Sequence, residues 1–342
     1  MSVFIDACWG KPTPHTPVWL MRQAGRYQPE YRAIREKMSF LELCKSPETA
    51  AEVTVLAAEQ LSTDAGIIFA DILLILEPLR IGFSFEKGDG PKIHNPLRTK
   101  EQIEAVAESI DVEESLGYVL EAIKQTKKSL KVPLIGFSGA PFTLASYAIE
   151  GGGSKNYHAT KTLMYGDPGL FRELMERFTT SIIDYLNAQV AAGADALQIF
   201  DSWIGCLSES DYRKHVSPHM KRIFDSIDRS VPSIHFGTGN PALYPAMKEA
   251  GGDVIGVDFR ADLAKTWDET GAKAIMGNID PVYILAEPPA LENEVRRILE
   301  SVGNRPGHIF NLGHGIMPEA SPARARALVE TVHKVSRELR SR

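Results

Sequence analysis

The sequence predicts an α/β protein made of one (β/α)8 barrel, a TIM barrel, on three observations. Short apolar runs bounded by turn residues recur along the 342 residues, and helix-compatible stretches separate most of them, the pattern of parallel βα units. Eight such runs can be read, the number that closes a barrel. No GxGxxG follows the first of them, whereas an open doubly wound sheet would usually carry a nucleotide fingerprint there.

In chain order the strands expected are Val18 to Met21, Gly66 to Ala70, Val132 to Phe137, Ala196 to Phe200, Ser233 to Phe236, Val254 to Val257, Ala272 to Met276 and His308 to Leu312. A helix over Pro47 to Leu61 precedes the second strand, with proline in its first turn and Glu48 where an acid favours a helix start. The clearest helix lies between Pro168 and Ala192, where Phe171, Leu174, Phe178, Ile182, Tyr185 and Leu186 recur at helical spacing; Gly193 then sits where a helix C-cap prefers glycine. Arg80 to Ser129 is too long for a simple βα connection and is expected to hold an excursion with extra short elements. Neither an internal repeat nor a Pro/Gly-rich linker interrupts the chain, so residues 1–342 read as a single catalytic domain.

Composition is that of an ordinary globular protein, 44% hydrophobic and 24% charged. A net charge of -6 supplies no basic field for nucleic acid or anionic lipid. Cys8, Cys44 and Cys206 are odd in number and widely spaced, which fits neither a disulfide framework nor a CxxC site. Met1 to Gly10 lacks the layout of a secretory signal, and no run approaches the roughly 20 apolar residues of a spanning helix. A cytoplasmic location is expected by elimination.

Barrel active sites are assembled at the C-terminal ends of the strands. Just past the expected strands stand Arg22, Gln23 and Arg26, then Asp71, Ser138, Asp201 with Ser202, Gly237, Asp258, Asn278 and His314. Arg22 and Arg26 flank Ala24 and Gly25 and offer two guanidinium forks to a multiply anionic ligand; the bland alternative pairs them with Glu30 and Glu36. Asp71 lies between the apolar runs Ile67 to Ala70 and Ile72 to Leu76, where a carboxylate meets little water; it reads equally as a structural aspartate, capping a helix or paired with one of the arginines, or as a group that stabilises positive charge on a substrate. Tyr147 falls two turns into a helix after the third strand, either core or site. Gly151 to Gly153 has no GKS/T and reads as a flexible active-site loop. His314, between Gly313 and Gly315, is placed for ligand contact or proton transfer or is merely exposed. His215 and His219 have metal-like spacing, but Pro218 interrupts it and no HExxH is present, so no metal site is expected there.

Four segments, Pro17 to Tyr27 (PVWLMRQAGRY), Ile68 to Ile72 (IFADI), Gly136 to Leu144 (GFSGAPFTL) and Asn311 to Gly315 (NLGHG), closely resemble the uroporphyrinogen decarboxylase family, in family order over nearly the whole chain. The resemblance implies a (β/α)8 barrel acting as a homodimer that turns the four acetate side chains of uroporphyrinogen into methyls, without metal or organic cofactor. Carried over by position, it implies substrate contacts at Arg22, Gln23, Ala24, Gly25, Arg26, Asp71, Tyr147, Ser202 and His314, with Arg35 a further candidate, and makes Asp71 the essential carboxylate. Phe142 stands where the family favours tryptophan and Gln28 where leucine is frequent.

Two other readings compete. A corrinoid-linked methyltransferase needs thiolate and imidazole ligands in an H-x-C, but His235-Phe236-Gly237 has glycine at the cysteine position and no cysteine follows Cys206. A non-catalytic tetrapyrrole carrier could use the same pocket, although Asp71 beside the arginine motif argues against pure binding.

Overall fold

A computed structural model describes residues 2–86 and 90–341. The strands, numbered in chain order, are β1 (Gly66–Ile67), β2 (Phe83–Glu86), β3 (Gly90–Ile93), β4 (Leu134–Gly139), β5 (Ala196–Asp201), β6 (Ser233–Gly237), β7 (Val254–Gly256), β8 (Ala274–Met276) and β9 (His308–Ile309). Seven of them, β1 and β4 through β9, form one parallel sheet in which each strand pairs with the next, and β2 and β3 form a separate hairpin. Helices occupy the crossovers, so the α/β class and the strand–helix alternation expected from sequence both hold.

The first expected strand is the exception. Val18 makes one parallel bridge, to Phe310, and joins no regular ladder. The reason lies in its donors: Leu20 N–H goes to Gln23 Oε1 and Met21 N–H to Asn311 Oδ1, so side chains take bonds that a neighbouring strand would otherwise accept. The segment still reaches both flanks of the sheet, with Pro17 C=O accepting from Phe310 N–H and Val18 C=O from Asp64 N–H, each at 2.8 Å.

Period-two alternation divides the core. Ile234 and Phe236 of β6, Val254 of β7, and Ala274 and Met276 of β8 pack with Trp19, Met21 and Ile135 in one cluster, joined by Phe4, Ala7 and Cys8 of helix Val3–Cys8. The alternate residues Leu197, Ile199, Ile255 and Ile275 join the larger cluster under the helices.

The two helices expected from sequence appear with the expected bounds, Pro47–Leu61 and Pro168–Ala192. Pro47 opens the first, and an alanine-rich face packs it against helix Val112–Ser129. The second begins on Asp167, whose carboxylate caps Leu170 N–H at 3.0 Å, and ends on Gly193 at φ +115°, a conformation that costs glycine least.

The excursion over Arg80 to Ser129 contains the β2–β3 hairpin and helices Lys100–Glu104 and Val112–Ser129. The hairpin gives the Gly151 to Gly153 run, expected as a flexible active-site loop, backbone partners. Ile93 N–H donates to Gly151 C=O at 2.9 Å, and Gly152 bridges Lys92. A Cβ on Gly152 would stand 2.8 Å from Pro91 C=O, so glycine there serves close backbone approach.

Candidate active site

The Arg22–Arg26 loop starts with Arg22 at φ +60°, which turns the chain sharply after the extended segment. Gln23 folds inward: its side chain is buried, accepts from Leu20 N–H and donates to Ala65 C=O, tying the loop to the start of β1. Arg22 and Arg26 are left exposed on either side, with Ala24 and Gly25 half-buried between them. Gln28 explains its own departure from leucine: its buried amide accepts from Gly25 N–H at 2.9 Å and donates to Gln60 Oε1 at 2.8 Å, bracing the loop from beneath. Phe142, the other departure, is fully buried, edge-on to Phe171.

Asp71 lies past β1, half-buried, with Oδ1 accepting from Leu73 N–H at 2.8 Å. Burial raises its pKa, while the Leu73 N–H and the Arg22 guanidinium pull in the opposite sense. Tyr147 projects from helix Pro141–Glu150 and lies against Trp203, ring centroids 3.8 Å apart. Its phenol is pushed up to about 12 by burial first, then by the Asp71 charge, against the pull of Arg22. His314 is exposed at the end of the last βα unit, and its pKa is lowered by desolvation and by Arg22. Arg22, drawn from one place in the sequence, thus acts electrostatically on Asp71, Tyr147 and His314 from three others, and Asp71 acts on Tyr147.

Ser202 follows β5, half-buried, its C=O accepting from Thr238 Oγ1 at 2.8 Å. Arg35 donates to Met38 C=O at 2.6 Å and lies over the Phe40 ring. Three other strand-end candidates are scaffold. Asp258 is fully buried, accepting from Gly239 N–H at 2.8 Å and paired with Arg260; Asn278 donates to Asp258 C=O at 2.9 Å; Ser138 bonds Gly139 C=O. His219 sits against Glu176 and Thr179, and His215 packs edge-on to Phe171, in keeping with structural roles.

Sequence reasoning missed Trp203 and Phe200. Phe200 stays half-buried while packing edge-on to Phe137 and Phe236. Periodicity marks such residues as core; the signal available for Trp203 was only its place two residues beyond Asp201.

Among the described residues one group has the makings of a metal site: His15, Asp64 and His333. The two imidazoles donate from Nε2 to separate oxygens of the one carboxylate, at 3.1 and 2.7 Å, and Val18 N–H adds a third bond. These groups already satisfy one another, and they clasp the N-terminal segment, the approach to β1 and helix Pro322–Arg340. His235, the imidazole a methyltransferase zinc site would need, is fully buried with Nδ1 on Gly251 C=O, and Gly237 offers no thiolate.

The strand ends therefore set a partly desolvated carboxylate near exposed guanidinium groups, a combination that can hold a polyanionic molecule and stabilise a cation within it. Solved structures agree on the fold: a methyltransferase from Methanosarcina mazei matches with a TM-score of 0.80 at 19% identity, covering 97% of each chain. A B12-independent methionine synthase from Shewanella matches at 0.62 and 13% identity, covering 90% of this chain and 92% of that one. Sequence relatives are far nearer. A protein from Carboxydothermus hydrogenoformans named uroporphyrinogen decarboxylase is 52% identical over 98% of this chain and 97% of its own length. One of the same name from Sorangium cellulosum is 50% identical over 98% and 96%. The uroporphyrinogen decarboxylase profile itself matches residues 1–335. With that profile spanning nearly the full length and relatives at half identity, the chain belongs to the uroporphyrinogen decarboxylase family.

Proposed function

We propose that this protein is a carboxy-lyase that converts uroporphyrinogen III to coproporphyrinogen III, removing each of four acetate carboxyls as carbon dioxide and leaving a methyl, within tetrapyrrole biosynthesis. The observation that carries the reading is Asp71, a partly desolvated carboxylate past β1 that interacts electrostatically with Arg22 and Tyr147, while Arg22 in turn acts on His314.

Loss of carbon dioxide leaves an electron pair that needs a sink, and many decarboxylases obtain one from a cofactor. A pyrrole supplies its own. Protonating the ring carbon next to the acetate makes a cation; the C–COO⁻ bond then breaks, its electrons neutralise the ring, and an exocyclic methylene forms. A proton added to that methylene and one lost from the ring carbon restore the pyrrole with a methyl group, so one proton is consumed for each carbon dioxide released. Asp71 accepts hydrogen bonds from the pyrrole N–H groups and stabilises the cation, an interaction strengthened by its desolvation. Arg22 and Arg26 orient carboxylates, the Gln23–Gly25 backbone follows the substrate edge, and Tyr147, Ser202 and His314 complete the contacts. No metal or organic cofactor takes part.

The reading extends to architecture. The bonds from Pro17 and Val18 to Phe310 and Asp64 support closure of the sheet into an eight-fold barrel. The family resemblance supports a homodimer and a cytoplasmic site of action. Anaerobic incubation of metal-stripped protein with uroporphyrinogen, followed by chromatography of the oxidised products, tests the activity. Stepwise loss of carboxyls down to the four-carboxylate product is expected; binding without conversion would mark a carrier and overturn it.

A further inference from the structure

Asp201, at the end of β5, is wholly buried, yet its carboxylate is poorly provided for. Oδ1 accepts from Thr143 Oγ1 at a long 3.4 Å, and Oδ2 has no hydrogen-bond partner among the described residues. His235 Nε2 lies 3.8 Å from Oδ2, beyond hydrogen-bond reach, and is itself without a partner there. The nearby Tyr212 hydroxyl is likewise unpartnered among these residues. Burying a carboxylate so thinly bonded costs stability, and carbon-for-oxygen replacement at such places is often neutral or favourable. The fold alone gives little reason for an acid at this position.

Its connections lead to Tyr147 and Ser202. Thr143 Oγ1, which donates to Asp201, also accepts from Trp203 N–H at 3.3 Å. Thr143 sits one helical turn before Tyr147 in helix Pro141–Glu150, and Trp203 carries the ring against which Tyr147 stacks. Ser202 lies between Asp201 and Trp203 in the chain, with its C=O fixed by Thr238. One hydroxyl thus links the end of β5, the helix bearing Tyr147 and the peptide that follows Ser202.

The geometry points to Asp201 as a positioning residue: through Thr143 it locks the β5 end to helix Pro141–Glu150, and so sets Ser202 and the Tyr147–Trp203 stack in the arrangement that receives the tetrapyrrole. This rests on the reading of Ser202 and Tyr147 as substrate contacts. Asp201 itself touches no reacting atom.

The test compares Thr143→Val, Thr143→Ser and Asp201→Leu with the parent protein, using Tyr147→Phe as the control for the site. Melting temperature, steady-state turnover of uroporphyrinogen and equilibrium binding of oxidised uroporphyrin are read together. Asp201→Leu should keep or raise the melting temperature, and Thr143→Val, which leaves the Asp201 carboxylate and the Trp203 N–H without that hydroxyl, should lower it; in both, KM should rise about tenfold with kcat little changed, the signature of lost orientation on binding. Thr143→Ser, which keeps the hydroxyl, should restore parent values. Parental KM in Thr143→Val, or activity that falls only in step with melting temperature, would overturn the inference. If Tyr147→Phe also leaves binding and KM unchanged, the reading of the site has failed; if it weakens them while Thr143→Val does not, only the positioning role has.

Discussion

Arg22 crosses directly over Gly315: a Cβ added to Gly315 would stand 2.8 Å from Arg22 Nε and collide with the neighbouring methylenes. The glycine beside His314 thereby gives the first arginine of the loop its path past the end of the last strand. Ile316 N–H, donating to Met21 C=O at 2.9 Å, pins the two segments together. Gly315→Ala should therefore displace Arg22 while leaving the fold intact. We expect kcat/KM for uroporphyrinogen to drop by about tenfold or more, mostly through KM, with little change in melting temperature. Unchanged KM would show that the crossing is incidental.

Arg22 also governs His314. The histidine is held below its ordinary pKa by desolvation and then by the Arg22 charge, so it is neutral near pH 7. Replacing Arg22 with glutamine removes the larger of the two charges that lower it, Arg22 and Arg260, and the His314 pKa, followed by NMR, should move up toward about 6.5. The sign for stability follows: protonating His314 is disfavoured in the folded chain, so this residue takes stability away as pH falls below about 6.5. A His314 pKa unmoved by Arg22→Gln would separate the two residues.

The His15–Asp64–His333 clasp makes a prediction on stability alone. Burial pushes the Asp64 pKa up, but hydrogen bonds from both histidines and from Val18 N–H outweigh it and bring the value down to about 2. A depressed carboxylate stabilises the fold above its unfolded pKa of about 3.9 and loses that contribution as pH falls through the folded value. Asp64→Asn should accordingly cost about 1–2 kcal/mol at pH 7, measured by denaturant unfolding, with the gap closing between about pH 4 and pH 2. A gap independent of pH would mean that lost packing, not charge, is responsible.

How much of this was legible in the sequence varies with the range of the forces involved. Helices Pro47–Leu61 and Pro168–Ala192 were readable because local signals set their ends: proline at the start, and for the second a glycine cap. Val18 to Met21 reads as a strand by its apolar run, but its fate is decided by Gln23 and by Asn311, which lies far along the chain and supplies an acceptor periodicity does not reveal. The same holds at the site. Strand-end position singled out Arg22, Asp71, Ser202 and His314, whereas the stacking of Trp203 on Tyr147 joins residues from separate βα units. Gln28, read as a mere departure, braces Gly25 through a bond that only the folded loop creates. The backbone partners of the Gly151 to Gly153 run were not legible because the hairpin that supplies them comes about sixty residues earlier.

The central claim, that the Asp71 carboxylate acts on the cation formed during decarboxylation and not merely on substrate binding, is tested most directly by measuring turnover and affinity together in Asp71→Asn. The change keeps shape and removes charge. The account predicts that uroporphyrin binding stays within a few-fold of the parent while kcat falls by about 10²–10³, the scale of losing one preorganised electrostatic group. In the parent protein kcat/KM should fall on the acid side at a pH above the ordinary aspartate range, because burial raises the Asp71 pKa. Near-parental kcat in Asp71→Asn, or a loss confined to binding, would contradict it.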